Sequence, residues 1–169
     1  MTRSAAIVGA GVGGLATAVG LTRNAWEVTV FERWDRTAGT GTGFGMWPPA
    51  LRALDDLGVG ETLRKEAQPQ QDGVFRRPDG SVIATLDVDR LRRRAGEGVY
   101  LVSRPALLEL LLAELPAGVV RFGEPVTRLD DLTTSYDVVV GADGLWSTTR
   151  AELLGDRHVP RYAGATVWR

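Results

Sequence analysis

The residues with the clearest chemistry lie in the first 33 positions of the sequence. An apolar segment, Ala5–Val8, leads into the pattern Gly9-x-Gly11-x-x-Gly14. A run with helical character follows, and a second apolar segment, Val28–Phe31, is followed at once by Glu32. A strand, a glycine-rich turn, a helix and a second strand ending in an acid are the order that the pyrophosphate and ribose of a dinucleotide require. The pattern therefore predicts a dinucleotide-binding site.

Each glycine in the turn has a distinct expected role. Gly9 allows the chain to leave the strand in a tight turn, Gly11 lets the backbone approach the pyrophosphate, and Gly14 lets the helix pack closely. Val12 and Gly13 lie between them and are further candidate cofactor contacts. Free N–H groups and the positive end of the helix dipole would then bind the diphosphate, so no basic side chain is needed in the turn.

The acid at the end of the second segment is suited to a ribose. Glu32 lies 18 residues beyond Gly14, where a carboxylate can accept hydrogen bonds from both ribose hydroxyls of an adenosine. The same charge would repel a 2′-phosphate. Arg33 follows it and can stack on the adenine through its guanidinium. The alternative is an ordinary strand, turn and helix in which the glycines only relieve steric clashes. A chain with 21 glycines can produce this pattern by chance.

Composition narrows the class of protein. A length of 169 residues predicts about one domain with a core of its own. Twenty basic and 21 acidic residues give a net charge of −1, so we expect neither a nucleic-acid nor a membrane partner. The absence of cysteine excludes disulfides, thiolate metal sites and thiol catalysis, and it fits a reducing compartment. With no signal region and no apolar run long enough for a membrane span, we expect a cytoplasmic protein.

The patterning along the chain predicts alternating strands and helices. The first helix is expected to end at Asn24-Ala25, with Asn24 in the left-handed conformation. Residues 38–45 and 90–98 are expected to be loops, the second of them polar, and 73–77 with 81–86 a hairpin. The strands are predicted at 5–8, 28–31, 100–102, 119–122, 126–129 and 137–140, and the helices at 13–23, 48–57 and 105–115.

Two further motifs follow the glycine-rich turn in a fixed order. The first is Ser103-Arg104-Pro105-x-Leu107, and the second is Gly141-Ala142-Asp143-Gly144-x-x-Ser147-x-x-Arg150. Together the three motifs resemble the FAD-dependent aromatic hydroxylase family, the single-component flavoprotein monooxygenases of the p-hydroxybenzoate hydroxylase type. The resemblance implies an α/β fold, a Rossmann-like GR2-type FAD-binding domain with a parallel sheet flanked by helices and a small β-hairpin or meander.

The resemblance also implies roles for particular residues. Arg104 would approach the FAD pyrophosphate, and Asp143 with Gly144 would lie by the phosphate–ribityl region. Gly45 belongs to a glycine-rich segment that would pass beside the flavin ring, and Val126 completes the candidate cofactor-binding set. For Arg104 the alternative is a surface arginine at a helix start. For Asp143 it is an Asp-Gly turn that caps the next helix, and for the glycine-rich segment it is a flexible connection. No catalytic side chain and no metal ligand is assigned.

The implied chemistry uses FAD with NAD(P)H as reductant. One oxygen atom would pass from a flavin C4a-hydroperoxide to an aromatic or polyketide-like small molecule. Members of the family continue into a substrate domain, so we expect residues 1–164 to be an incomplete FAD-binding domain and 165–169 to begin the missing part. The chain is then either the FAD-binding part of a monooxygenase or a shortened, non-catalytic nucleotide-binding or partner module. A homodimer or a complementing chain is expected in either case.

Overall fold

The computed structural model describes residues 2–37, 39 and 41–166. The chain divides into two compact units, which are described separately below. Unit 1 comprises residues 1–40 and 108–169, and unit 2 comprises residues 41–107. Of the segments expected from the sequence, residues 38, 40 and 167–169 lie outside the described part of the chain.

Both units contain strands and helices. The strands are β1 (Ser4–Val8), β2 (Glu27–Glu32), β3 (Gly43–Met46), β4 (Gln68–Pro69), β5 (Gly73–Arg76), β6 (Val82–Leu86), β7 (Tyr100–Ser103), β8 (Val120–Phe122) and β9 (Val138–Gly141). The helices are α1 (Val12–Arg23), α2 (Pro48–Asp56), α3 (Gly60–Glu66), α4 (Val88–Ala95), α5 (Arg104–Ala113), α6 (Asp130–Thr133) and α7 (Thr148–Leu154), and a 3₁₀ turn covers Gly155–His158.

Unit 1 is built on a parallel sheet. Its strand order among the described residues is β8-β2-β1-β9, and each neighbouring pair is parallel. The central strand β1 is buried along Ala5, Ala6 and Ile7, which agrees with its unbroken apolar sequence. The predicted α/β fold is therefore confirmed. Because β1 lies between β2 and β9, the turn that follows β1 is next to the ends of both neighbours.

Helix α1 connects β1 to β2, and its last turn differs from the prediction. The expectation that Asn24 takes the left-handed conformation is wrong: Asn24 has φ −98°, and Ala25 has φ 59°. The side-chain amide of Asn24 instead donates through Nδ2 to the Gly20 carbonyl oxygen at 2.8 Å. The side chain thus caps the helix while the next residue makes the left-handed turn.

Unit 2 contains a small antiparallel sheet, a hairpin and three helices with the first turn of α5. Strand β7 pairs with β3 on one side and β4 on the other. The prediction that residues 38–45 are a loop is wrong for its end, because Gly43–Met46 forms β3 against β7. The glycines of β3 made it difficult to predict from the sequence, because they lack the β-branched and aromatic side chains that are typical of strands. The hairpin of β5 and β6 is confirmed, with Gly80 at φ 86° in its turn.

The prediction for the polar segment 90–98 is wrong. Residues 90–98, predicted as a polar loop, lie mostly in α4. The Asp87 carboxylate accepts from the Arg90 N–H at 2.7 Å at one end of α4, and Gly96 has φ 86° at the other. Capping residues therefore define this helix where apolar periodicity is lacking.

The prediction of a strand at residues 126–129 is also wrong. Residues 124–128 have no regular structure, and Leu129 immediately precedes α6. Val126 is partly buried against a cluster formed by Ala6, Val8, Leu129 and Leu132. The apolar side chains of this segment pack onto the sheet of unit 1 without joining it.

Candidate functional site

The glycine-rich turn lies where β1 ends, and Gly9 sits in it with φ +105°. Its N–H donates to the Phe31 carbonyl oxygen of β2 at 2.8 Å. A Cβ atom at this position would lie 2.6 Å from the Ala142 carbonyl oxygen. Both the backbone conformation and the contact with the segment after β9 therefore require glycine.

The remaining glycines of the turn divide into two kinds. A Cβ atom on Gly14 would lie 1.9 Å from the Gly9 carbonyl oxygen, so α1 approaches the turn as closely as the backbone allows. By contrast, a Cβ atom on Gly11 or Gly13 would meet nothing within 4 Å. The steric expectations for Gly9 and Gly14 are confirmed, and space is left beside Gly11 and Gly13.

The start of α1 has the properties of an anion-binding site. Gly11 is the N-cap residue and provides no side-chain cap, and the first turn carries no acid. The first N–H groups of a helix have no partner within the helix, and Val12, Gly13 and Gly14 occupy these positions. The positive end of the helix dipole adds to their attraction for a negative group.

Glu32 brings a carboxylate directly to this turn. Only 9% of the residue is exposed. Its Oε2 accepts from the Ala10 N–H at 2.7 Å, and its Oε1 accepts from the Trp34 N–H at 3.1 Å. A carboxylate has about four acceptor positions, so two backbone donors leave room for ribose hydroxyls. The structure thus joins the acid and the glycine-rich turn, as the spacing predicted.

Asp143 lies beside the same turn, but its carboxylate is held by the start of α7. Oδ1 accepts from the Ser147 hydroxyl at 2.5 Å, while Oδ2 accepts from the Thr148 hydroxyl and the Thr149 N–H, each at 3.0 Å. Burial raises the pKa of the Asp143 carboxyl, but these hydrogen bonds outweigh burial and leave the pKa below its ordinary value. Gly144 follows with φ 83°. The contacts match the alternative of an Asp-Gly turn that caps the next helix.

Ser147 belongs to the third motif, in which no role was predicted for it. Its hydroxyl donates to Asp143 and accepts from the Arg150 N–H at 2.8 Å, so Ser147 is the N-cap of α7. The Arg150 guanidinium donates to the Leu145 carbonyl oxygen at 2.7 Å. A serine followed at once by two threonines was the available signal for a helix start.

Two candidate residues lie in unit 2. Gly45 pairs with Leu101 between β3 and β7, and Arg104 is the first residue of α5. The Arg104 N–H donates to the Thr42 carbonyl oxygen at 3.2 Å. The methylene groups of the Arg104 side chain lie against Gly41, where a Cβ atom would be 3.0 Å from Arg104 Cδ. Contact of either residue with a cofactor stays a prediction.

The other two candidates are in unit 1. Arg33 is exposed, and its guanidinium carbon lies 5.8 Å from the centre of the Trp34 ring. Val126 belongs to the apolar packing described above. Neither arrangement tests a role in cofactor binding. Within the described residues no cluster of His, Cys, Asp and Glu is arranged to hold a metal, and no helix is long and apolar enough to cross a membrane.

Comparison with known proteins decides the family. The model of the FAD binding domain family matches residues 2–133. The chain belongs to this family. Relatives include the 3-amino-4-hydroxybenzoate 2-monooxygenase of Streptomyces platensis, which is 36% identical over 97% of this chain and 44% of its own length. The chain therefore spans less than half of that relative.

Solved structures agree with the FAD-binding fold. Tetrameric 2-methyl-3-hydroxypyridine-5-carboxylic acid oxygenase matches with a TM-score of 0.77 at 23% identity, over 90% of this chain and 42% of the other. Klebsiella pneumoniae HpxO complexed with FAD and uric acid matches with a TM-score of 0.63 at 27% identity, over 75% of this chain and 32% of the other.

The residues of unit 1 fit the adenosine diphosphate half of FAD. The open positions at Gly11 and Gly13 leave space for a diphosphate at the uncapped start of α1. Glu32 lies against the same turn with acceptor capacity for a ribose. The donors and the acceptor thus occur in the order in which the ligand presents its phosphate oxygens and hydroxyl groups.

Proposed function

We propose that this chain binds FAD through the start of α1 and Glu32, as the FAD-binding part of a flavin-dependent monooxygenase. The observation that carries the proposal is the 2.7 Å hydrogen bond from the Ala10 N–H to the Glu32 carboxylate. This hydrogen bond joins Glu32, whose carboxylate can accept from a ribose, to the glycine-rich turn, whose N–H groups can bind a pyrophosphate. An ordinary strand, turn and helix has no need of a buried acid at that place.

The residues have separate tasks in this proposal. The N–H groups of Val12, Gly13 and Gly14 bind the pyrophosphate, and Glu32 accepts hydrogen bonds from the adenosine ribose. Arg33 stacks on the adenine. The cofactor contacts predicted for Arg104 and Gly45 concern unit 2 by itself. Bound FAD would supply the two-electron and oxygen chemistry, while the chain holds and orients it.

Names of relatives suggest the substrate class. One relative is a 3-amino-4-hydroxybenzoate 2-monooxygenase, and another is an aurachin C monooxygenase/isomerase of Stigmatella aurantiaca. We infer an aromatic or polyketide-like small molecule as substrate and NAD(P)H as reductant for the whole enzyme. A homodimer or a complementing chain is the protein partner that we infer.

Titration calorimetry with ADP and 2′-phospho-ADP tests the ribose assignment. We expect the wild-type chain to prefer ADP by about tenfold, because a like charge near the 2′ position costs at least ~1.4 kcal/mol. Glu32→Gln should reduce that preference. Glu27→Gln is the matched control, since Glu27 is exposed at the opposite end of β2. Equal or tighter binding of 2′-phospho-ADP by the wild type would contradict the proposal.

A further inference from the structure

An exposed tryptophan follows the acid that contacts the glycine-rich turn. Trp34 comes two residues after Glu32, and 66% of it is exposed. Its backbone is nevertheless fixed, because its N–H donates to Glu32 Oε1 at 3.1 Å and its carbonyl oxygen accepts from the Gly123 N–H at 3.0 Å. Trp34 is therefore held at a defined place in unit 1 while most of the residue stays in solvent.

The turn after β8 fixes the same segment at two further points. The Glu124 N–H donates to the Glu32 carbonyl oxygen at 2.9 Å. Gly123 has φ 73°, and a Cβ atom on it would lie 3.1 Å from Asp35 Oδ1. The backbone from Glu32 to Asp35 therefore follows a fixed path past residues 123–124, which gives the Trp34 side chain a rigid base.

The Trp34 ring is a contact for the Arg33 guanidinium. Arg33 Cζ lies 5.8 Å from the centre of the indole, within the range of a cation–π interaction. No carboxylate among the described residues forms an ion pair with Arg33. An arginine side chain in water has many rotamers, and stacking on a ring reduces their number. The indole is therefore the group that restricts this guanidinium.

The covalent structure of a dinucleotide brings its base to this pair of side chains. A ribose carries its base on C1′, next to the carbon of the 2′-hydroxyl group. A ribose held by Glu32 therefore presents its adenine close to the residues that follow Glu32 in the chain. Because a guanidinium is planar, one of its faces can lie on the indole of Trp34 while the other stacks on the adenine.

We propose that Trp34 is a positioning residue for the adenine of the dinucleotide: its indole holds the Arg33 guanidinium, and the guanidinium contacts the base. The inference rests on the proposed function, in which Glu32 binds the ribose. It assigns a task to a residue that belongs to none of the three sequence motifs. The indole, the guanidinium and the adenine then form a stack beside the ribose site.

The experiment is a double-mutant cycle on the full chain, with Arg33→Ala, Trp34→Ala and the double variant. Binding of ADP and of inorganic pyrophosphate is measured by titration calorimetry or NMR, together with the melting temperature. We expect Trp34→Ala to weaken ADP binding by about threefold and Arg33→Ala by about fivefold. The double variant should bind ADP no more weakly than Arg33→Ala, because Trp34 acts through Arg33. Pyrophosphate carries no base, so Trp34→Ala should leave its binding nearly unchanged.

Two further variants separate the aromatic face of Trp34 from its bulk, and they carry the test if Trp34→Ala does not fold. Trp34→Phe keeps an aromatic face and should restore most of the ADP affinity. Trp34→Leu keeps an apolar side chain without that face and should bind ADP as weakly as Trp34→Ala. Wild-type ADP affinity in Trp34→Leu would overturn the inference.

Trp26→Ala is the matched control, because unit 1 contains a second pair of the same kind. Arg3 Cζ lies 4.5 Å from the centre of the Trp26 ring, next to the starts of β1 and β2 and at the opposite end of β2 from Glu32. Loss of this ring should lower the melting temperature without changing ADP affinity. A fall in ADP affinity as large as that of Trp34→Ala would show that general destabilisation explains the effect and would overturn the inference.

The remaining outcomes are distinct. Losses of ADP affinity that add in the double variant would mean that Trp34 touches the base directly, and this overturns the inference. Parallel losses of ADP and pyrophosphate binding by Trp34→Ala overturn it as well. Unchanged ADP affinity in Trp34→Ala refutes the inference and leaves the proposed function intact. A wild-type chain that binds neither ADP nor FAD overturns the proposed function, and the inference with it.

Discussion

At the scale of single residues, the charge of Asp143 contributes to the stability of unit 1. The pKa of its carboxyl is lower in the folded chain than its ordinary value of about 3.9 because the hydrogen bonds from α7 outweigh burial. A group with a depressed folded-state pKa stabilises the fold above its unfolded pKa. This stabilisation is lost as the pH falls through the folded-state value.

The expected result is a pH-dependent effect of Asp143→Asn. The variant should be less stable than the wild type by about 1 kcal/mol near neutral pH, because an amide has one acceptor oxygen where the carboxylate has two. The difference should shrink as the pH falls below about 4. Urea unfolding over this pH range measures it, with Asp72→Asn, an exposed loop position, as the charge-matched control. A difference that stays constant with pH would contradict the assignment.

The site was predictable where one residue type has one steric or chemical task. Gly9 and Gly14 have the tight turn and the close helix contact that their spacing predicted, because each of these tasks restricts the choice of residue. Glu32 lies at the end of its strand as predicted, and its contact with a ribose stays a prediction. The partners of Asp143 were not predictable. Aspartate both binds ligands and caps helices, and the pattern alone does not distinguish the two.

At the scale of elements, the contact between α1 and the glycine-rich turn can be tested within the helix. Gly14→Ala should destabilise unit 1 by about 3 kcal/mol or more, since its Cβ atom would meet the Gly9 carbonyl oxygen. Gly13→Ala is the matched control, because that position is open, and it should stabilise by up to about 1 kcal/mol. Thermal unfolding of both variants measures the difference, and equal melting temperatures would refute the close contact.

In unit 2, Arg64 joins three segments. Its guanidinium donates to Asp55 of α2 through Nη1 and Nη2, and to Glu97 after α4 through Nε at 3.0 Å. Arg64→Met should lower the free energy of unfolding by about 1.5–3 kcal/mol, the usual contribution of hydrogen bonds to charged groups. Lys65→Met removes an exposed pair with Glu61 and should cost about 0.5 kcal/mol or less. Chemical denaturation compares the stabilities of the two variants. Similar losses of stability would show that Arg64 does not hold these segments together.

The predicted elements succeed and fail for a common physical reason. Strands β1, β2 and β9 and the hairpin were found because apolar runs and turn residues identify them locally. Strand β3 depends on its partner β7, and α4 depends on its caps rather than on an apolar face. Elements stabilised by pairing or capping leave a weaker trace in the sequence than elements stabilised by burial.

At the scale of the whole molecule, a hairpin leaves large apolar side chains in water. Strands β5 and β6 pair with each other, and among the described strands neither has a second neighbour. Phe75 and Ile83 are 63% and 57% exposed, and Val74 and Val82 are exposed as well. Exposed apolar strands with free edges favour association.

The chain is therefore expected to self-associate as its concentration rises. The double variant Phe75→Ser/Ile83→Ser should shift it towards the monomer, while Gln71→Ser, an exposed polar change before the same hairpin, should not. Light scattering across a concentration series measures the mass of each. A wild-type chain that remains monomeric at high concentration would contradict the expectation.

The parallel sheet of unit 1 joins segments that a ribosome makes many seconds apart. Ser4 of β1 and Asp137 beside β9 are hydrogen-bonded across 133 residues of sequence. At about 5–20 residues per second, a ribosome needs on the order of ten seconds to make the intervening chain. During that interval the glycine-rich turn exists without Ala142 behind it. We therefore expect a nascent chain to complete the glycine-rich turn only after β9 and Ala142 have emerged.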